Sequence, residues 1–255
     1  AGRLISQTYK SSFFKYLIKF LFNKAELFLA QGENWNRFAK NQLQIPENKI
    51  QIINNWTATP KLLEIGLKKD YAQKSDNIKF IFVGWLEKEK GILEILESLQ
   101  ELNKKEYNFF FTFIGDGRVK KYAKEFIAEN GLEKRVEFMG WLSNNKLSEY
   151  YKNADIFVLP SWAEGMPNAL IEALSSGLAV ITTDVGMIPN YLSNNENSLI
   201  LPPRSTKSLT NAMEKLISDN KLKIKISKNG FKVANNYFST KIGLKILAES
   251  IKKKL

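Results

Sequence analysis

Two carboxylates and a proline-led turn stand within one short run of this chain. Residues 159–174 read Leu-Pro-Ser-Trp-Ala-Glu-Gly-Met-Pro-Asn-Ala-Leu-Ile-Glu-Ala-Leu. Pro167 suits the first position of a helix, where its fixed φ is already helical and its missing N–H has no bond to lose. The amides of Asn168, Ala169 and Leu170 then stand at a helix N-terminus, where orphan donors and the macrodipole favour a phosphate. Glu164 lies just before that anion site and Glu172 about a turn inside the helix. Two carboxylates beside a phosphate repel it unless hydroxyl groups lie between them. A diphosphate flanked by polyols meets that demand, and a nucleotide sugar has this form. Surface glutamates and Gly-x-Pro turns are also ordinary punctuation, so the run needs support from its surroundings.

The elements that would position these residues recur with a steady gap. Apolar runs at 79–83, 108–114, 135–139, 155–159, 179–183 and 198–201 are nearly continuous, as strands buried on both faces are. Helix-period segments lie between them. In the first, Ile92, Leu93, Ile95, Leu96, Leu99 and Leu102 form the i, i+3, i+4, i+7 stripe. This alternation predicts an α/β fold with helices on both sides of a parallel sheet. Crossover handedness puts every strand's carboxyl end on one rim, where such sheets bind ligands. The unusual residues fall on that rim: Gly84 to Gly91, Gly115-Asp116-Gly117, Gly140-Trp141-Leu142-Ser143, and Ser161 to Glu164. Upstream, the pattern predicts a basic, aromatic helix over 10–24, which could lie on a membrane but is read by preference as packing against a further sheet. Then come a strand at 26–30, a helix at 33–43 and a strand at 50–53. An irregular stretch is expected from Asn54 to Asn77, and a basic amphipathic helix at about 239–254.

Composition bounds the reading. The chain has 255 residues, 44% of them apolar and 12% aromatic, enough for one large or two modest domains. It has no cysteine, which excludes disulfides and thiolate metal sites. It contains no apolar run of transmembrane length and no signal-peptide pattern. It does not begin with Met and starts inside a helical pattern, which is read as a trimmed piece. The net charge of +12 is uneven: from Arg204 onward thirteen Lys or Arg face three acids. Solvated helix faces account for that tail. Attraction to anionic lipid or an anionic substrate is the sharper reading. Nucleic acid is an unlikely partner, because no recognised nucleic-acid module is present.

Several of these runs together resemble a known family. Gly84-x-Leu86-x-x-Glu89-Lys90-Gly91, Gly115-Asp116-Gly117, Val136-x-Phe138-x-Gly140 and Glu164-Gly-Met-Pro-Asn-x-x-x-Glu172 are similar, in order, to the retaining GT-B glycosyltransferases of glycosyltransferase family 4, the group 1 glycosyl transferases. The resemblance covers roughly residues 26–236. It implies a GT-B type α/β fold: a Rossmann-like parallel-sheet donor domain over 78–236 and a partial N-terminal α/β domain over 1–60, the remnant of a truncated acceptor side. Residues 61–77 would link them, and a C-terminal helix over 237–255 would pack back toward the N-terminal part.

The resemblance also implies roles. Lys90 would hold the donor diphosphate and Glu172 the ribose diol. Glu164 with Gly165, Met166, Pro167 and Asn168 would hold the transferred sugar. Trp141, Leu142 and Ser143 would face the base. Gly84, Trp85, Gly115, Asp116 and the amides of Ala169 and Leu170 complete the expected donor site, with Lys90 and Glu164 as the catalytic candidates. No cofactor is implied; the substrate is a nucleotide sugar, UDP- or GDP-linked, and no Asp-x-Asp metal motif occurs. The acceptor would be a carbohydrate or lipid-linked hydroxyl compound. The setting would be cell-surface polysaccharide or lipopolysaccharide synthesis, in the cytoplasm or peripherally at the inner membrane face. Two departures stand out. Trp85 replaces the family's usual Arg, so that Lys90 would act with helix dipoles alone or Lys88 or Arg118 would substitute, with stacking by Trp85 also open. The chain also has no His at all, so that, as a truncated piece, it is not expected to turn over efficiently.

The chemistry expected is transfer of a hexose to a hydroxyl with retained anomeric configuration. Lys90 and the amides of 168–170 would stabilise charge gathering on the leaving diphosphate. Glu164 as a double-displacement nucleophile ranks below a same-face attack in which it only orients the sugar. Two rivals are weighed. In a dehydrogenase-like dinucleotide site, Phe113-Ile-Gly-Asp-Gly would open Gly-x-Gly-x-x-Gly, but Lys120 stands where the third glycine belongs. A non-catalytic basic protein binding nucleotides or a membrane surface is the second.

Overall fold

The computed structural model describes residues 12–72 and 77–253. Residues 10 and 11 of the first expected helix, 73–76 of the expected linker and the last two residues lie outside the described residues. The chain forms two compact units, one combining residues up to Trp56 with those from Tyr237 onward, the other spanning Thr57–Asn236.

The first unit contains α1 (Ser12–Asn23), β1 (Phe28–Ala30), α2 (Glu33–Asn41) and β2 (Ile50–Ile52). β1 and β2 pair in parallel, Phe28 opposite Ile50. Phe38, Ala39, Leu43 and Ile45 make its core, with Ile18, Phe22 and Trp35 packed against them. α2 ends two residues earlier than its apolar pattern predicts. Leu43 belongs to the turn after it, its N–H donating to Phe38 C=O at 3.2 Å.

The second unit opens with α3 (Pro60–Lys68). That helix corrects the expectation of an irregular stretch from 54 to 77. Thr59 is its N-cap, accepting the Leu62 N–H, and Pro60 takes the first helical position. The helix is only nine residues long, too short for periodicity alone to declare it. Gly66 packs it onto its own unit: a Cβ there would meet Ser175 O at 2.4 Å and the Phe231 ring at 2.5 Å.

Alternating elements follow: β3 (Ile78–Val83), α4 (Ile92–Lys104), β4 (Phe109–Ile114), α5 (Lys120–Glu129), β5 (Val136–Gly140), α6 (Asn144–Asn153), β6 (Ile156–Leu159), α7 (Asn168–Ser175), β7 (Ala179–Thr183) and β8 (Leu199–Leu201). Two long helices, α8 (Thr206–Ser218) and α9 (Asn220–Tyr237), close the unit. The last helix, α10 (Thr240–Lys252), belongs to the first unit, where Thr240 donates to Trp56 C=O at 3.2 Å. The six apolar runs of the sequence are the six strands of one all-parallel sheet, ordered β5-β4-β3-β6-β7-β8.

Aromatic residues explain the tight centre of this sheet. Phe80 stacks on Phe111, and Phe113 on Phe138 at 4.8 Å and 6°, pairs that add to the burial of each ring. Strand order reverses between β3 and β6. In open parallel sheets the crevice beyond such a reversal is where ligands bind.

Gly66→Ala tests the docking of α3. Ala favours the helix, but the Cβ has no room, and overpacking costs about 1–3 kcal/mol. A lower urea midpoint is expected. A raised midpoint would show that α3 does not pack against Ser175 and Phe231.

Candidate functional site

The loops after β3 and β6 meet because of one glycine. A 3-10 turn at Lys88–Lys90 leads into Gly91, whose φ of 74° lies in the left-handed region. A Cβ at Gly91 would stand 2.4 Å from Pro160 O. Only glycine lets the two loops lie this close. Across the junction, Trp162 N–H donates to Glu89 C=O at 2.8 Å.

That closeness places Lys90 Nζ 2.6 Å from Glu164 Oε1, in a pair whose side chains are 27% and 9% exposed. Ser161 Oγ donates to the same carboxylate oxygen at 2.7 Å. The loop carrying Glu164 is tied down on every side. Thr183 Oγ1 donates to Ser161 C=O at 2.6 Å, and Met187 N–H to Gly165 C=O at 2.9 Å. The Trp162 indole donates to the buried Glu94 at 2.7 Å, while Arg204 lies over the Trp162 ring.

α7 follows at once. Pro167 is its N-cap, with ψ of 129°, not its first helical residue; its extended backbone puts the helix start at Asn168. The Pro167 C=O accepts the first intrahelical bond, from Ile171 N–H at 3.3 Å. The amides of 168–170 therefore form the first turn, which has no acceptor inside the helix. Leu170 is buried in the core and brings only its amide to the site.

Glu172 is held separately. Tyr151, fully buried on α6, donates its hydroxyl to Glu172 Oε2 at 3.0 Å. Burial raises the Glu172 carboxyl above the usual carboxylate range, and the Tyr151 bond only partly opposes that. Burial and the Glu172 charge together push the Tyr151 phenol well up. Among the described residues, no hydrogen bond or ion pair joins Glu172 to Lys90 or Glu164.

The far side of the rim is aromatic. Trp85 and Trp141 meet edge to face at 4.7 Å and 77°, each more than half exposed. Gly84 and Gly115 bring their loops together: a Cβ at Gly115 would lie 1.9 Å from Gly84 O, and Gly115 N–H donates to Gly140 C=O. Asp116 turns its carboxylate into its own loop, accepting from Lys120 and the Gly117 N–H, which hold its carboxyl below the usual range. Leu142 and Ser143 continue from Trp141, and Ser143 caps α6 without a side-chain bond. Arg118, one proposed substitute cation, is paired with Glu87 at 2.6 Å. No group of three or more His, Cys, Asp or Glu stands ready for a metal among the described residues.

With this geometry in hand, the comparisons are specific. A family model described as glycosyl transferases group 1 matches residues 66–233. The chain belongs to this family. It is 28% identical over 245 residues to the capsular polysaccharide biosynthesis glycosyltransferase CapM of Staphylococcus aureus, covering 90% of this chain and 63% of CapM. The solved C-terminal domain of LpcC, a glycosyl transferase group 1 family protein from Francisella tularensis, is 29% identical with a TM-score of 0.59, covering 64% of this chain and 87% of that one. Anabaena HepE, solved with UDP and glucose, is 20% identical with a TM-score of 0.73, covering 95% and 67%. The fold is that of the GT-B glycosyltransferases, with their Rossmann-like parallel sheet. The chain spans about half the length of the curated relatives it matches.

Sequence reasoning missed Tyr151 and Glu94. Tyr151 sits on a different helix from Glu172, twenty-one positions away. Glu94 stands inside an otherwise apolar stripe, and that break was the available signal.

Glu172→Gln tests the burial of this carboxyl. With its folded value raised, the native state binds more protons than the unfolded one through that window, so wild-type stability falls as pH rises through it. The amide of the variant does not titrate, so this slope disappears. Urea denaturation should show the variant gaining on wild type as pH rises from the ordinary carboxylate range upward. Parallel curves would mean that Glu172 is not desolvated.

Proposed function

We propose that this glycosyl transferases group 1 chain carries the donor-binding half of a retaining hexosyltransferase, using a UDP- or GDP-linked sugar. The observation that carries the reading is the Lys90–Glu164 pair, standing across the strand reversal and just ahead of the α7 amides. A cation beside the amides of a helix N-terminus suits a diphosphate. Glu172, a carboxylate kept partly dry by burial, suits a ribose diol, whose two hydroxyls can donate to it. The exposed Trp85–Trp141 pair suits a base by stacking. HepE, of the same fold, was solved with UDP and glucose, and this supports the choice of ligand class.

Lys90 and the amides would take up the negative charge that leaves with the diphosphate, an electrostatic role typically worth several kcal/mol. Glu164 orients the sugar rather than attacking it. Its Oε1 already accepts from Lys90 and from Ser161, and both bonds draw electron density from the carboxylate that a nucleophile would need. The acceptor hydroxyl then attacks from the face the diphosphate leaves, which preserves configuration. CapM belongs to capsular polysaccharide biosynthesis, and a carbohydrate or lipid-linked acceptor is proposed here on that likeness. An inner membrane face is proposed as the setting because α1 exposes Phe13, Tyr16, Leu17, Phe20 and Leu21, the apolar face an interfacial helix requires.

Lys90→Ala should weaken UDP or GDP binding at least about tenfold, the loss of one charge-assisted hydrogen bond of about 1.5–3 kcal/mol. Uridine and guanosine binding should stay unchanged, both read by calorimetry. Equal affinity for the diphosphates in both proteins would remove Lys90 from the phosphate site. Mass spectrometry after incubation with a fluorinated sugar donor should find no adduct on Glu164. A glycosylated Glu164 peptide would establish double displacement instead.

A further inference from the structure

At the opposite, amino edge of the same sheet a cavity of about 620 Å³ opens between α3, α6 and α9. Lys79, near the start of β3, and Asp155, just ahead of β6, mark that edge. Two lysines within the lining set it apart. Lys69 is half-buried, and its amine donates to Ala154 C=O at 2.6 Å, at the carboxyl end of α6. Burial, with the Lys223 charge added, pushes the Lys69 amine down to about 8, against the pull of Asp155. Capping α6 explains Lys69. It does not explain Lys223, which is 7% exposed and whose amine has no hydrogen bond or ion pair to any described residue.

The charge balance of the lining points one way. Lys61, Lys79 and Lys152 add cations around the same cavity. Of the acids, Glu64 is paired with Lys68, Asp70 accepts the Ala72 N–H, and Asp155 accepts the Lys79 N–H. Glu149 on α6 completes the set, leaving six lysines against four carboxylates among the described residues. A lysine so largely enclosed as Lys223, and without a partner among those residues, is held there at a cost. A lysine perturbed as Lys69 is, in a cavity, is a functional-site candidate. A single negative charge would satisfy one of the two amines. A dianion satisfies both, and a phosphate monoester is close to dianionic at neutral pH. The volume lies in the range of small-molecule sites.

We propose that this cavity is a second ligand site, taking a small phosphate-bearing anion between Lys69 and Lys223, separate from the donor rim. It uses none of the residues assigned to the donor, so the two readings stand or fall independently.

Calorimetry of the whole chain with inorganic phosphate tests it. Saturable binding is expected, weakened at least tenfold in Lys223→Met, which keeps the side-chain volume, and unchanged in Lys90→Ala. Glucose 6-phosphate and inorganic phosphate run side by side distinguish the source: tighter binding of the ester indicates a phosphorylated metabolite, equal binding the free ion. On the wild-type protein, NMR of the lysine side chains should show phosphate raising the Lys69 titration from near 8. This readout holds even where the variant does not fold. Non-saturable binding, binding lost in Lys90→Ala but kept in Lys223→Met, or a Lys69 titration unmoved by phosphate would overturn the proposal.

Discussion

The contact between the ends of β3 and β6 is the constraint on which the rest of this protein's chemistry depends. These strands are neighbours in the sheet although their loops are 74 residues apart at Lys90 and Glu164. A parallel neighbour requires a long crossover, and here the crossovers are α4 through α6. The carboxyl ends then converge, and Gly91 lets the backbone of one loop lie on Pro160 of the other. Every further tie follows from that approach: Trp162 to Glu89 and Glu94, Ser161 to Glu164, Thr183 to Ser161. An ion pair in such a partly buried place is sensitive to the loss of one partner, because the remaining charge has already been taken out of water. The same desolvation makes Lys90 and Glu164 strong toward a charged ligand.

Much of this was legible in the chain because the signals were local or repeated. Six buried strands announce themselves as continuous apolar runs, and the loops between strand and helix stand out by their glycines. The 159–174 run carries turn, helix start and carboxylates within one window, so its placement on the rim was readable. Pro167 was misplaced by one residue, since a proline is equally at ease as an extended N-cap. α3 was lost because a nine-residue helix gives little periodicity, although Thr59-Pro60 was a start signal in plain view. What the sequence could not carry were contacts between distant segments. Tyr151 beneath Glu172, Glu94 behind Trp162 and Lys223 beside Lys69 each depend on which helix packs where.

The sheet has two chemically distinct edges. Its carboxyl edge gathers backbone amides, paired tryptophans and a lysine–glutamate pair. Its amino edge gathers lysines, one of them buried and another half-buried with its amine shifted down. Both edges hold polar groups at some expense in stability, which is the usual mark of function over folding. Glu172 shows this within the first site: a carboxyl raised by burial is a poor stabiliser and a good acceptor for hydroxyl donors.

A crystal structure of this chain with UDP bound tests the central claim most directly. The account predicts both phosphates at the carboxyl edge, within hydrogen-bond distance of Lys90 Nζ and the first amides of α7, with the ribose hydroxyls on Glu172. A nucleotide seated elsewhere, with Lys90 and those amides untouched, would contradict it.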